Sequence, residues 1–180
     1  MLNAIEVVLL WLVIQAAVTD LAVRKIPNVL VLSGLLLALA LHWRMGPPWA
    51  TLSSWLAGGA TGFLLFLPLY ALRGMAAGDV KLMAMVGAFA GPAQALHIAL
   101  LSIMAGGVLG LLMMAASGRL RQGLRNLATL LWPMLLRLAG VPAQPVPLPR
   151  GASVGGMPYA VAVAAGSALS ILSGHFHTAG

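Results

Sequence analysis

Two carboxylates are the residues in this chain whose type and placement could do chemistry. The 180 residues contain only three acidic side chains, and two of them, Asp20 and Asp79, each lie at the edge of a long apolar stretch. An ionisable group at membrane depth is costly to keep, so it is a candidate functional residue by default. Two carboxylates in one site cannot both ionise cheaply, so they share a proton and supply a general base and a general acid together. Such a pair can activate water against a peptide carbonyl, as in aspartic proteases.

Each carboxylate also has a purely structural interpretation. Asp79 follows Gly78 at a predicted helix start, where an anion is a favoured N-cap. Asp20 lies near the end of the first predicted helix, where the helix dipole disfavours an anion, and it could pair with Arg24 one turn later. An exposed pair of that kind contributes only about 0–1 kcal/mol, so it explains Asp20 weakly. The third acid, Glu6, lies toward the other end of the same helix, and we assign it no chemistry.

The remaining side chains do not form another catalytic set. The chain has no cysteine, which excludes disulfides, a thiolate nucleophile and a cysteine-ligated metal. The four histidines lie at predicted outer ends, inside a span or on the C-terminal tail, and they are His42, His97, His175 and His177. The two on the tail have no accompanying carboxylate and make only a weak metal site. No Ser/His/Asp set falls on one side of the predicted membrane, so the sequence predicts no metal and no cofactor.

The composition indicates a membrane protein. Hydrophobic residues make up 61% of the chain and charged residues 7%, with a mean hydropathy of +1.01, whereas soluble domains carry roughly 25% charged residues. The net charge of +7 comes from basic residues between apolar runs, where orientation in the bilayer explains them better than nucleic-acid binding. The first apolar run has no basic segment before it and carries Glu6, so it is predicted to be a retained helix rather than a signal peptide.

The apolar runs predict an all-α fold, a polytopic membrane helix bundle of about six transmembrane helices that forms one membrane-embedded domain over residues 1–180. The predicted spans cover residues 2–20, 28–45, 50–71, 79–92, 93–117 and 152–174. The apolar but interrupted segment 127–141 is predicted to be interfacial or re-entrant, and a proline-rich connector follows it. If that segment crossed the membrane, the chain would have seven spans.

The basic residues orient the predicted bundle. Nine of the ten Lys and Arg residues fall on one side of six alternating spans, and Arg44 alone falls on the other. The positive-inside rule then predicts a multi-pass protein of the inner (cytoplasmic) membrane, with the N-terminus outside and the nine basic residues in the cytoplasm. This count does not depend on the aspartates, yet it places Asp20 and Asp79 at one depth, near the cytoplasmic face. The lipid bilayer is therefore a predicted partner, and nucleic acid is not.

Three segments of the chain resemble those of type IV prepilin peptidases. Residues 20–28 read Asp-Leu-Ala-Val-Arg-Lys-Ile-Pro-Asn and resemble the first family segment, an Asp followed by a basic stretch and Ile-Pro-Asn. Residues 77–82 read Ala-Gly-Asp-Val-Lys-Leu and resemble the family's Gly-x-Gly-Asp-x-Lys-Leu segment, with Ala76 in place of its first glycine. Residues 157–160 read Met-Pro-Tyr-Ala and, with Gly166, resemble the Pro-Tyr/Phe-small signature of the last span.

The chain departs from many members of that family in two ways. It lacks an extended cytoplasmic insertion with paired cysteines, and so is similar to the small form that serves tight-adherence (Flp) pili; archaeal preflagellin peptidases are the nearest alternative. Glycine permits backbone conformations that alanine resists, so the loop at Ala76 is where altered geometry is expected.

The resemblance implies an intramembrane aspartic endopeptidase with Asp20 and Asp79 as its catalytic pair. The implied substrate is a prepilin, whose short basic leader would be cut from the apolar helix behind it at the cytoplasmic membrane face. Matched positions expected to shape the site or bind substrate are Gly78, Lys81, Pro27, Asn28, Ala76 and Pro158. Two interpretations from other classes stay open. One is a proton-relay subunit of a transporter, disfavoured because the spans carry few other polar residues, and the other is an inert membrane scaffold.

Overall fold

In a computed structural model of the 180-residue chain, six α-helices have both of their ends within the described residues. The structure describes residues 3–44, 46–71, 74–118 and 158–174 and the single residues 121, 125, 128 and 132. The helices are α1 (Ala4–Val23), α2 (Asn28–Trp43), α3 (Pro48–Ala71), α4 (Ala77–Ala90), α5 (Pro92–Ala116) and α6 (Tyr159–Leu172). Within the described ranges there is no β-strand, which confirms the predicted all-α fold.

The helices follow the predicted spans with small shifts at their ends. α1 continues to Val23, three residues beyond its predicted end, and α4 begins at Ala77, two residues earlier than predicted. α6 begins at Tyr159, and residues 152–157 of the last predicted span lie outside the described residues. The first two shifts matter because they move Asp20 away from a helix end and place Asp79 inside a helical turn.

The chain divides into two units, the first formed by residues 1–107 and 158–180 and the second by residues 108–157. The first unit contains α1 to α4, α6 and most of α5, and it carries every predicted site residue. The second unit holds the end of α5. The segment 127–141, predicted to be interfacial or re-entrant, lies outside the described residues except for two single helical positions.

Prolines and one glycine mark where the helices begin. α3 and α5 start with Pro48 and Pro92, and a proline at the first helical position loses no intrahelical hydrogen bond. The turn between α4 and α5 is the single residue Gly91, whose φ of 79° lies in the left-handed region that favours glycine. At the start of α1, Glu6 Oε2 accepts the N–H of Asn3 at 2.8 Å. These local signals are strong, so the boundaries that they set fall close to the predicted ones.

α4 is the central helix of the first unit. Ten of its 14 residues are buried, and it packs against α1, α2, α3 and α6. Its most extensive contact is with α3, where a Cβ added at Gly58 or Gly62 would collide with the carbonyl oxygens of Gly87 and Met83. Small residues that let two backbones touch are typical of helix pairs in membranes. This packing fixes the position of the first turn of α4, and so of Asp79.

Among the described residues, three helices are long and apolar enough to cross a membrane. They are α1, α3 and α5, with 20, 24 and 25 residues and mean hydropathies of 1.9, 1.4 and 2.3. About 20 residues are needed, since a helix rises 1.5 Å per residue and the hydrocarbon core is roughly 30 Å thick. On α1 the large apolar side chains of Trp11, Ile14 and Val18 are each more than half exposed, as expected beside lipid. α2 and α6 are apolar but shorter, and the six-span topology with its orientation stays a prediction.

Candidate active site

Asp20 is buried one turn before the end of α1, with 7% of its surface exposed. Its Oδ2 accepts the backbone N–H of Ala160, the second residue of α6, at 3.3 Å. The first N–H groups of a helix have no partner within the helix and form its positive end. The N-terminus of α6 therefore stabilises this carboxylate, although Ala160 lies 140 positions further along the chain.

Arg24 does not form the salt bridge with Asp20 that the sequence suggests as a purely structural role for this carboxylate. Its backbone turns into the left-handed region, with φ of 56°, and its N–H donates to the main-chain oxygen of Asp20 at 2.9 Å. Its side chain is exposed, and among the described residues no ion pair joins it to the Asp20 carboxylate. Asp20 is therefore a buried carboxylate at the N-terminus of α6 and not a member of a surface ion pair.

Asp79 is the third residue of α4 and is 4% exposed. Its Oδ2 accepts the N–H of Ala76, the residue before the helix, at 3.1 Å. This is one half of a capping box, and Ala76 has no side-chain oxygen to make the other half. Asp79 thus caps α4 from inside the first turn rather than from the N-cap position that the sequence suggests. The capping role uses one oxygen of the carboxylate only.

The two carboxylates meet at one cavity of about 220 Å³, which both of them line. Each uses its Oδ2 to accept a backbone N–H, and no group in the described ranges donates to either Oδ1. One oxygen of each carboxylate is therefore available to a water molecule or a peptide in the cavity. Two buried carboxylates with available oxygens can serve as a general base and a general acid.

Cationic side chains line the same cavity. Arg24, Lys25 and Lys81 contribute to its walls, so positive charge at its rim offsets the negative charge of the aspartates. Lys81 Nζ donates a hydrogen bond to Asn28 Oδ1 at 3.1 Å, which joins the first residue of α2 to the fifth residue of α4. Pro27 is the residue immediately before α2, with φ of −63°. The structure therefore places Lys81 and Asn28 against each other, a contact that sequence spacing does not predict.

The start of α6 lies beside the site through its contact with Asp20. Pro158 is buried and immediately precedes the helix, two residues before the N–H of Ala160 that donates to Asp20. The ring of Tyr159 packs edge-on against Phe66 with centroids 5.7 Å apart. Tyr159 was not among the predicted site residues, although it lies inside the Pro-Tyr-small motif that could have identified it.

Ala76 stands where the resembling family segment has glycine, and its backbone does not need glycine. Its φ of −84° and ψ of 156° are extended values that any residue adopts. Its side chain is exposed, and its contribution to the site is the backbone N–H held by Asp79. Alanine is therefore accommodated here without backbone strain.

Gly78 has little room for a side chain, and its backbone angles do not require glycine. A Cβ added to it would lie 3.3 Å from Cβ of Ile26 and 3.5 Å from Cγ1 and Cδ1 of the same side chain. Ile26 belongs to the linker that follows α1, and it lines the cavity together with Gly78. The missing side chain lets the first turn of α4, which carries Asp79, approach the linker.

The described histidines have other surroundings. His42 Nδ1 lies 2.8 Å from the carbonyl oxygen of Ala38, and His97 Nδ1 lies 3.3 Å from Ser170 Oγ. In the part of the chain that the structure describes, no three His, Asp or Glu side chains are grouped to hold a metal ion. The two tail histidines, predicted to be at most a weak metal site, lie outside the described residues.

Comparison with known proteins identifies the family. The model of the type IV leader peptidase family matches residues 7–111, which is more than half of the chain and includes every predicted site residue except Pro158. Neither a curated protein nor a solved structure matches the chain. The three helices long enough to cross a bilayer fit a peptidase of the membrane. The chain therefore belongs to the type IV leader peptidase family and is a membrane protease.

Proposed function

We propose that the chain is an intramembrane aspartic endopeptidase that cuts the short basic leader from prepilins at the cytoplasmic membrane face, with Asp20 and Asp79 as its catalytic pair. The observation that carries this proposal is the shared cavity. Two of the three acidic residues, from different helices, are both buried and both line it. Burying a carboxylate without an ion-pair partner is costly, and capping alone does not require two of them at one cavity.

The proposed reaction starts with one proton on the pair. The ionised carboxylate takes a proton from water, and the water oxygen bonds to the carbonyl carbon of the scissile peptide. The other carboxyl gives its proton to the peptide nitrogen as the C–N bond breaks. The products are a leader with a new carboxyl group and a shortened chain with a free amine, and the pair again holds one proton, now on the opposite carboxylate.

The hydrogen bonds of the pair support this proposal. Each carboxylate is anchored by one backbone N–H, from Ala160 or from Ala76. Anchoring through Oδ2 restricts the orientation of each side chain and leaves its second oxygen without a hydrogen-bond donor among the described residues, and such pre-organisation favours acid–base catalysis. A backbone N–H can also donate to a carboxylate that is ionised. This hydrogen bond does not depend on the protonation state of another side chain.

The direct test is co-expression of the protein with a candidate prepilin of a tight-adherence pilus. We expect a gel shift of the pilin and a new N-terminus at the junction of leader and apolar segment, identified by mass spectrometry. The control is the same prepilin without the peptidase. A preflagellin as second substrate separates the two substrate classes, since cleavage of the preflagellin alone would assign the chain to the archaeal-type alternative. An inserted protein that cleaves neither would overturn the proposed function.

Ala76→Gly is expected to leave both stability and leader release nearly unchanged. Glycine is preferred to alanine at an N-cap but adds freedom to the unfolded chain, so the net change should stay within roughly 0.5 kcal/mol. The backbone N–H that Asp79 holds is retained. Thermal unfolding in detergent and initial rates of cleavage would measure this, and a large gain in rate would show that the alanine does restrict the loop.

Gly78→Ala is expected to slow leader release. The added methyl group presses on Ile26, and overpacking of this kind costs about 1 kcal/mol, which corresponds to roughly fivefold in rate if the strain falls on the site. The measurement is the initial cleavage rate beside the amount of inserted protein. Gly107→Ala is the matched control, because a Cβ there meets no atom within 4 Å. Equal rates for both variants would show that Ile26 moves aside freely.

A further inference from the structure

An open apolar groove begins beside the proposed active site. It has a volume of about 490 Å³ and is formed by α2, α3 and α4. Its apolar walls include Leu32 and Leu35 of α2, Phe63 of α3 and Ala84 of α4. Leu32 and Phe63 are 59% and 39% exposed, so these walls are open to the surroundings of the bundle.

The groove is continuous with the cavity of the aspartates. Asn28 and Lys81 line both, and the hydrogen bond between them marks the place where one passes into the other. They are the only polar residues that line the groove among the described residues. The surface therefore changes at this point from a polar, charged cavity to an apolar channel.

The groove leads away from the aspartates along two helices that both begin at the cavity. α2 starts at Asn28 and α4 starts two residues before Asp79. From Asn28 to Leu35 the groove follows seven residues of α2, a distance of about 10 Å or two turns. An apolar segment that begins at the cavity could lie parallel to these two helices.

We propose that this groove binds the apolar helix that follows the scissile bond in the substrate, with the Asn28–Lys81 hydrogen bond at the boundary between that helix and the extended peptide at the aspartates. The inference rests on the proposed function. The substrate helix is the expected occupant because a leader peptidase must hold, on one side of the cut, a segment that is both apolar and directly attached to the peptide in the cavity. The groove is apolar, open to lateral entry and joined to the cavity. An acyl chain of a lipid is the competing occupant.

Disulfide cross-linking tests the proposal, and the chain is suited to it because it has no cysteine. The probe is a prepilin with one cysteine placed in turn along the first turns of its apolar segment, co-expressed with Leu35→Cys in an Asp79→Asn background that leaves the substrate uncut. Leu37→Cys is the matched control. It lies two residues further along α2, on the far side of the helix, is 41% exposed and does not line the groove.

Leu35→Cys is expected to give roughly tenfold more cross-linked product than Leu37→Cys, because a disulfide forms only when the two Cα atoms come within about 7 Å. Equal yields, or a higher yield at Leu37→Cys, would overturn the proposal. Either result would mean that the substrate helix binds elsewhere or that lipid occupies the groove. No product at either position, with a prepilin that the parent protein does cleave, would overturn it as well. Failure of the parent to cleave any prepilin is a separate readout and would remove the proposed function itself, and this proposal with it.

Discussion

Replacement of either aspartate by asparagine is expected to abolish leader release while the protein still inserts and folds. Asparagine keeps the shape of the side chain and the oxygen that accepts the N–H of Ala160 or Ala76, but it cannot take or give a proton. A positioned acid or base contributes roughly 10²–10⁴-fold to a rate, so Asp20→Asn and Asp79→Asn should each lose about a thousandfold or more. Initial rates of cleavage in isolated membranes, normalised to the amount of inserted protein, would measure the loss.

The third acid of the chain gives the matched control. Glu6 lies on the same helix as Asp20, is similarly buried at 8% exposure, and also accepts one backbone N–H, from Asn3. It is 14 residues from Asp20, which is about 21 Å along α1. Glu6→Gln should therefore retain the parent rate. Asp20→Asn combined with Asp79→Asn should be no slower than either single variant, because residues that act as a unit do not lose activity additively. Continued processing by either single variant would contradict the catalytic pair.

The sequence predicts the all-α fold and most helix boundaries because those depend on local chemistry. Apolar runs require helices in a membrane, and Pro48, Gly91 and Pro92 mark where helices start or stop whatever they pack against. Asp20 and Asp79 stand out for a related reason. A carboxylate in an apolar chain is costly, so its rarity carries information before any coordinate is known.

What the sequence does not predict is which groups from distant segments meet. The N–H of Ala160 that holds Asp20 and the bond between Lys81 and Asn28 depend on how helix ends come together. Hydropathy and charge counts do not specify such pairings, because every apolar helix presents similar faces. The position of Asp79 within α4 differs for a smaller reason: the helix starts at Ala77 rather than after Asp79, so the predicted N-cap is the third helical residue.

Gly58→Ala is expected to be among the most destabilising single-methyl substitutions in the protein. The added Cβ would collide with the carbonyl oxygen of Gly87 and lie 2.8 Å from Cα of Gly91. Because the obstacles are backbone atoms, no side-chain rotation relieves them and α3 must move away from α4. Overpacking usually costs 1–3 kcal/mol, and we expect about 3 kcal/mol here. Unfolding in mixed micelles by titration with a denaturing detergent would measure the free energy of unfolding.

Gly59→Ala separates this steric effect from the loss of a glycine as such. The two positions are adjacent on α3, but a Cβ at Gly59 would lie 3.5 Å from the carbonyl oxygen of Ala84 and 3.7 Å from Cβ of Ala88, which is ordinary van der Waals contact. Gly59→Ala should therefore unfold near the parent midpoint, or above it, since alanine favours a helix by roughly 0.5–1 kcal/mol over glycine. Leader release should fall with Gly58→Ala and not with Gly59→Ala, because movement of α4 displaces Asp79 at its first turn. Equal stability of the two variants would mean that the backbones of α3 and α4 do not touch at Gly58.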